Sequence, residues 1–196
     1  MCNSNYSDFE LVQQFEAGNQ QAIEELIARH KKRIFTYIML MVKNEQLAED
    51  IFQDTFIKVI ISLKEGRYSD KGKFVSWVAR IPHNLIIDHF RKEKNLQTVS
   101  NDQSEYDLFN SARFAERNVE DELVNTQITQ DIRRMIDELP ADQREVVLMR
   151  HYAGMSFKEI AEQTNVSINT ALGRMRYALI NLRKIMEEKN ISLTIA

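Results

Sequence analysis

The sequence predicts an all-α protein: two small helical domains joined by a flexible acidic linker, the C-terminal domain a helix-turn-helix. Three observations lead there. Helix breakers are scarce, with 5 Gly and 2 Pro in 196 residues, while helix-favouring Leu, Ile, Met, Glu, Lys and Gln abound. Apolar residues recur at spacings of three and four over most of the chain, the period of a helix with one buried face. A middle segment, 96–122, breaks that period and carries 2 Lys+Arg against 7 Asp+Glu.

Composition narrows the class of function. A chain of this length holds one medium domain or two small ones. With 43% hydrophobic and 28% charged residues it is globular rather than disordered or membrane-spanning. The single cysteine, Cys2, allows no intrachain disulfide and no cysteine-based zinc cluster; a cytoplasmic setting is expected, although a cysteine-poor secreted protein would look the same. The N-terminus lacks the pattern of a signal peptide. The longest apolar run, 34–42, falls far short of the roughly 20 residues of a spanning helix, so no membrane insertion is expected. A formal net charge of -3 means that any nucleic-acid surface must be local.

Residues 1–95, with 14 Lys+Arg against 13 Asp+Glu, read as the first domain. A short helix is expected near 8–17 with Asp8 as its cap. The second, 20–42, places Ile23, Leu26, Ile27, Ile34, Ile38 and Met41 on one stripe. The third, 46–63, aligns Leu47, Ile51, Phe52, Phe56, Val59, Ile60 and Leu63. A loop around Gly66 to Gly72 precedes the fourth, 74–94. Segment 96–122 has two readings, a solvated tether or an acidic strand that occupies a basic groove on a partner.

Residues 123–196 form the second domain, with 10 Lys+Arg against 9 Asp+Glu. Helices are expected at 119–139, 142–152, 157–164 and 168–188. Pro140 separates the first pair and Gly154 ends the second helix. Ser156 caps the third, with Glu159 at capping-box spacing. A tight turn, Thr164-Asn165-Val166, leads to Ser167, which caps a long helix. Two helices joined so closely cross steeply and offer the second to a DNA major groove. On that helix Ile168, Ala171, Leu172, Met175, Ala178, Leu179 and Leu182 make one continuous apolar face. The other positions include Asn169, Thr170, Gly173, Arg174, Arg176, Tyr177, Asn181, Arg183 and Lys184. No Asp or Glu lies between Gln163 and Met186, the segregation a phosphate-facing surface needs. Asn169, Thr170 and Arg174 suit base edges, Gly173 permits close backbone approach, and Arg183 and Lys184 suit phosphate. An ordinary amphipathic helix with a basic face is the bland alternative.

Three motifs in order then resemble one known family. Leu139-Pro140, Arg144-Glu145-Val146, Met155 to Ala161, and Ser167-x-x-Thr170 with Arg174 and Ala178 resemble domain four of bacterial RNA polymerase sigma factors. Ala48 to Phe56 (AEDIFQDTF) resembles their second-domain helix. Phe74-x-x-Trp77-x-x-Arg80-Ile81-x-x-Asn84-x-x-x-Asp88-x-x-Arg91 resembles the promoter-reading helix that follows. The absence of a third domain points to the extracytoplasmic-function (ECF) group of the sigma-70 family.

The resemblance implies a sigma factor that binds core RNA polymerase and directs initiation at promoters, with no catalytic residue, cofactor or metal of its own. Glu49, Asp50, Gln53 and Asp54 would bind the polymerase, though Asp50 and Asp54 fit a plain solvated face equally well. The −10 element would be read and melted by Arg67, Tyr68, Lys71, Lys73, Trp77, Arg80, Asn84, Arg91, Lys92 and Lys94. A base that leaves the stack must be caught by a pocket or an aromatic surface; Trp77 is either that surface or core, and Phe74 is core. The −35 element would be read as duplex by Ser167, Asn169, Thr170, Gly173, Arg174, Arg176, Tyr177, Arg183 and Lys184. An anti-sigma factor is a further candidate partner. The linker would mimic a phosphate backbone in a polymerase channel.

Pro82 departs from the family's usual alanine and predicts a kink near Val78–Pro82 or a later helix start. Leu172 and Tyr177 stand where the family is often basic. Two rivals remain. A DNA-binding regulator with an effector-sensing domain shares the helix-turn-helix but leaves the other two motifs unexplained. A metal-dependent hydrolase would need His83, Asp88 and His89 with Glu49 or Asp50, at spacings poor for shared ligation.

Overall fold

Residues 6–69, 72–97 and 131–191 are described by the computed structural model of the chain. Residues 98–122 of the expected linker, the first part of the expected 119–139 helix, and Lys71 lie outside them; residues 96 and 97, expected in the linker, instead end the fourth helix. The described residues are helical, with no strand among them. In order they form α1 (Asp8–Glu16), α2 (Gln20–Val42), α3 (Glu45–Lys64), α4 (Phe74–Gln97), a short α5 (131–137), α6 (Ala141–His151), α7 (Phe157–Gln163) and α8 (Ile168–Glu188). Two compact units result, one built on α1–α4 and one on α6–α8.

In the first unit, α1 packs on α2 and α3, and α4 closes against both α2 and α3. The core stripe of α2 is buried as expected at Ile23, Leu26, Ile34, Ile38 and Met41; Ile27 is half-buried. On α3, Ile51, Phe56, Val59 and Leu63 are buried, while Leu47, Phe52 and Ile60 are half-buried at its edge. Phe52 meets Phe35 and Phe56 edge-on, at 5.6 Å and 4.8 Å between ring centres, the favoured aromatic geometry.

The N-cap of α1 is Ser7, not Asp8. The Ser7 hydroxyl accepts from the Glu10 amide while the Glu10 carboxylate accepts from the Ser7 amide, a closed capping box. Asp8 instead pairs with Arg29 at 2.7 Å and His30 at 2.8 Å, tying α1 to α2. Pro82 neither delays nor interrupts α4, which starts at Phe74 and runs unbroken to Gln97. The neighbours Val78, Ala79, His83 and Ile86 are all buried. Their packing outweighs the backbone hydrogen bond that proline forfeits.

His83 is the polar group at the centre of this unit. It is 2% exposed, and its Nδ1 lies 3.1 Å from the hydroxyl of Tyr37, itself fully buried. Such a group stays inside a core only when hydrogen-bonded.

The second unit seats α8 on α6 and α7. Its core is Val146, Leu148, Met149, Met155, Ile160, Ala171 and Ala178, with Met135, Ile136 and Leu139 from the α5 segment. Arg144 is buried, donating from Nη1 to the Asp137 carbonyl at 3.1 Å, which ties the end of α5 to α6. Arg150 donates to the Met155 carbonyl at 2.8 Å and lies over the Phe157 ring at 5.3 Å, which fixes the approach to α7.

Burial holds the His83 imidazole down to about pH 4, against 6.5 ordinarily. The unfolded chain therefore takes up a proton that the folded chain refuses as pH falls from 6.5 towards 4, and stability drops across that window. Urea unfolding followed in the first unit should show lower stability at pH 5 than at pH 7.5, and His83→Gln should remove part of that difference.

Candidate nucleic-acid interface

The geometry of α8 begins at its two caps. Ser156 and Glu159 form a closed capping box at the start of α7. After α7, Asn165 adopts a left-handed φ of 54°, and the Val166 amide returns to the Ala161 carbonyl at 3.0 Å. Asn tolerates that conformation better than most residues. Ser167 then caps α8, its hydroxyl accepting from the Thr170 amide at 3.0 Å. This is the turn the sequence predicts, built on local hydrogen bonds.

The apolar face of α8 is narrower than its period suggests. Ala171 and Ala178 are fully buried, and Met175 and Leu182 are half-buried. Ile168, Leu172 and Leu179, expected on the same face, are 46%, 43% and 50% exposed. The short α6 and α7 cover only the centre of the face.

The expected DNA-facing residues divide between the two flanks. Asn169, Arg176 and Arg183 are exposed on the side next to the uncovered apolar edge. Thr170, Arg174, Tyr177 and Lys184 follow at spacings of four, three and seven on the other. Tyr177 is 61% exposed and Gly173 half-exposed. Lys184 lies 3.6 Å from Glu188, a one-turn pair in solvent. Arg174 differs from the rest: its Nε sits 3.1 Å from Oδ2 of Asp142 in the first turn of α6. Burial pushes the nearby Glu145 carboxyl up to about 7, against the Arg174 guanidinium and with help from Asp142.

In the first unit, Tyr68 is buried and meets Trp77 at 4.9 Å and Phe74 at 5.9 Å. Phe74 is core, as expected. Trp77 is half-buried within the same cluster, 6.0 Å from Phe74. Beside this aromatic group, Arg67 pairs with Glu65 and stays largely exposed. Lys73 is exposed, and its carbonyl accepts from the Trp77 amide at the start of α4. Along α4, Arg80 is half-buried, and Asn84, Arg91, Lys92 and Lys94 are exposed. Arg91 pairs with Asp88 at 3.2 Å.

On α3, Glu49, Asp50, Gln53 and Asp54 are all exposed. Two residues that sequence reasoning passed over continue their row. Ile57 and Ile61 are 55% and 48% exposed, at helical spacing from Asp50 and Asp54. Their signal was available: they fall out of phase with the core stripe. Asp142 and Glu145 were also missed as neighbours of Arg174, and no local signal marks them.

The hydrolase rival loses its geometry. His83 is inside against Tyr37, whereas Asp88 and His89 are exposed and Asp88 is taken by Arg91. Among the described residues no three His, Cys, Asp or Glu side chains gather as a metal site, and no helix is long and apolar enough to cross a membrane.

Comparison with known proteins finds relatives for both units. The family model Sigma-70 region 2 matches residues 26–96, and Sigma-70, region 4 matches residues 129–177. RNA polymerase sigma factor CarQ of Myxococcus xanthus is 29% identical over 182 residues, covering 93% of this chain and 99% of its own length. ECF RNA polymerase sigma factor SigW of Bacillus subtilis is 27% identical, over 90% of this chain and 95% of its own. Among solved structures, the sigma factor RpoE in complex with the anti-sigma factor NepR, from Bartonella quintana, aligns with a TM-score of 0.64 at 18% identity, over 84% of this chain and 96% of that one. CnrH in complex with the cytosolic domain of CnrY aligns at 0.62 and 22% identity, over 93% and 99%.

The raised Glu145 carboxyl has a definite sign. The folded unit keeps a proton that the unfolded chain releases above its ordinary value of 4.5, so this contribution to stability is lost as pH climbs from 4.5 through about 7. Stability measured by unfolding of the second unit should fall over that range, opposite to the His83 effect, and Glu145→Gln should flatten it.

Proposed function

The chain belongs to the sigma-70 family, in its extracytoplasmic-function group, and directs transcription initiation; we propose that it does so by docking on core RNA polymerase through α3 while α8 reads the −35 element and α4 the −10 element. Residues 1–95 serve the polymerase and the −10 sequence, 96–122 act as the tether, and 123–196 serve the −35 sequence. Catalysis belongs to the polymerase. The sigma factors named among its relatives are regulators of transcription rather than enzymes.

The observation that supports this best is the sorting of charge on α8. Three exposed cations, Arg176, Arg183 and Lys184, stand on a helix free of acid until its last turns. Phosphates attract such a surface, and the release of their counterions drives binding. Asn169 and Thr170, exposed in the first turn, suit base edges. Ser167 holds the helix N-terminus, where backbone amides favour a phosphate.

In the first unit, Arg67, Lys71, Lys73, Arg80, Arg91, Lys92 and Lys94 hold the single strand after melting. Tyr68 and Trp77 back it with an aromatic cluster, and Asn84 offers both donor and acceptor to a base. The exposed row on α3 adds Ile57 and Ile61 to the acidic Asp50 and Asp54, so this face has both a charge and an apolar contact to offer the polymerase. An anti-sigma factor is a second partner, in line with the complex in which the similarly folded RpoE was captured. The uncovered apolar edge of α8 suits a protein partner of that kind.

Two substitutions separate these roles. Lys184→Ala should weaken binding to every promoter alike and reduce the slope of log affinity against log salt by about 0.9, the step for a single phosphate left without its cation. Asp50→Lys should leave that slope unchanged and weaken association with core polymerase by about tenfold or more, because like charges opposed across an interface cost several kcal/mol. If both variants change only the salt slope, the assignment of α3 to the polymerase is wrong.

A further inference from the structure

Arg174 is set apart from the other cations of α8 by its partner. Its Nε lies 3.1 Å from the Asp142 carboxylate, and the two side chains are 25% and 50% exposed. Both groups are thus accessible to a ligand while they hold each other. A pair this open contributes little to stability. What it does change is the freedom of a long side chain. A loose arginine loses rotamer entropy when it is fixed, and a ligand that meets it already fixed is bound more tightly. The Nε contact also sets the plane of the guanidinium. With Nε beside Asp142, the Nη1–Nη2 edge is the one left to reach O6 and N7 of a guanine in the bidentate manner.

We propose that Asp142 is a positioning residue for −35 recognition: its carboxylate orients Arg174 so that the outer guanidinium edge meets a guanine. This rests on the assignment of Arg174 to base reading. Three features of the second unit fit the role. Asp142 lies in the first turn of α6, where the helix N-terminus favours its negative charge. Next to it, Gln143 accepts from Asn181 Nδ2 at 2.8 Å, so α6 and α8 keep a second polar tie when Asp142 is neutralised. Thr170 and Tyr177, exposed on the same flank one turn to either side of Arg174, complete a row along which bases can lie.

The test is selection from duplexes randomised over the −35 element, using the full chain assembled with core polymerase. Arg174→Ala should flatten the preference at one base pair by about tenfold or more. Asp142→Asn should flatten the same base pair several-fold, Asp142→Glu should restore most of it, and the double variant should be no worse than Arg174→Ala. Arg174→Lys, which keeps a cation for Asp142 but loses the fork, should lose the preference too; it gives a reading even if Asp142→Asn does not fold. The proposal is overturned if Asp142→Asn leaves the profile intact, weakens all sequences equally, or tightens binding. It is also overturned if the two single effects add in the double variant or if Arg174→Lys keeps the preference. A profile unmoved by Arg174→Ala instead removes the base-reading assignment itself, and the proposal with it.

Discussion

Ala171 and Ala178 have no solvent exposure, and the close seating of α8 on these two small side chains sets what every other residue of that helix can do. Backbones approach most closely where side chains are smallest, and the approach fixes the rotation of the helix about its own axis. With positions 171 and 178 inward, Arg174 falls beside α6 and meets Asp142, while Arg176 and Arg183 turn outward. A larger side chain at either alanine would lift or roll the helix and move all these groups together. The capped turn from Thr164 to Ser167 supports the same placement from one end.

The first unit depends on a comparable fit, with a polar centre. The Tyr37–His83 contact is buried among Ile34, Ile38, Val78 and Ile86, and it holds α2 against α4 at the turn where Pro82 removes a backbone bond. The aromatic group of Tyr68, Phe74 and Trp77 anchors the other end of that helix, beside the loop that bears Arg67 and Lys73. The cations of this region therefore stand on a rigid base. Chemistry that requires catching an unstacked base benefits from such a base, since a surface ordered in advance loses less entropy on binding.

Much of this was legible in the residues because it is local. Ser156 with Glu159, and Ser167 before its helix, announce caps within three positions. The limits of α2 and α8 follow from period and punctuation alone. Where two capping residues adjoin, as Ser7 and Asp8 do, the local signal is ambiguous, and the tertiary pull of Arg29 and His30 on Asp8 decides it. Pro82 reads as a breaker by propensity, yet the buried side chains around it keep α4 whole. Period shows which residues of α8 could be buried but not how wide its partners are, so the exposure of Ile168, Leu172 and Leu179 could not be read. The pairing of Asp142 with Arg174 joins groups far apart in the chain, and only the packing of α6 on α8 reveals it. The family motifs were legible for a different reason: they occur in order in both domains, and the two matched regions fall on the two units.

The account stands on the claim that this chain confers promoter choice on a polymerase that lacks it. Multiple-round run-off transcription, with purified chain, core polymerase and a library of genomic fragments, tests that claim most directly. The account predicts discrete start sites that appear only when the chain is added and that share sequence near −35 and −10. Transcripts identical to those of core polymerase alone, with the chain shown to be bound, would contradict it.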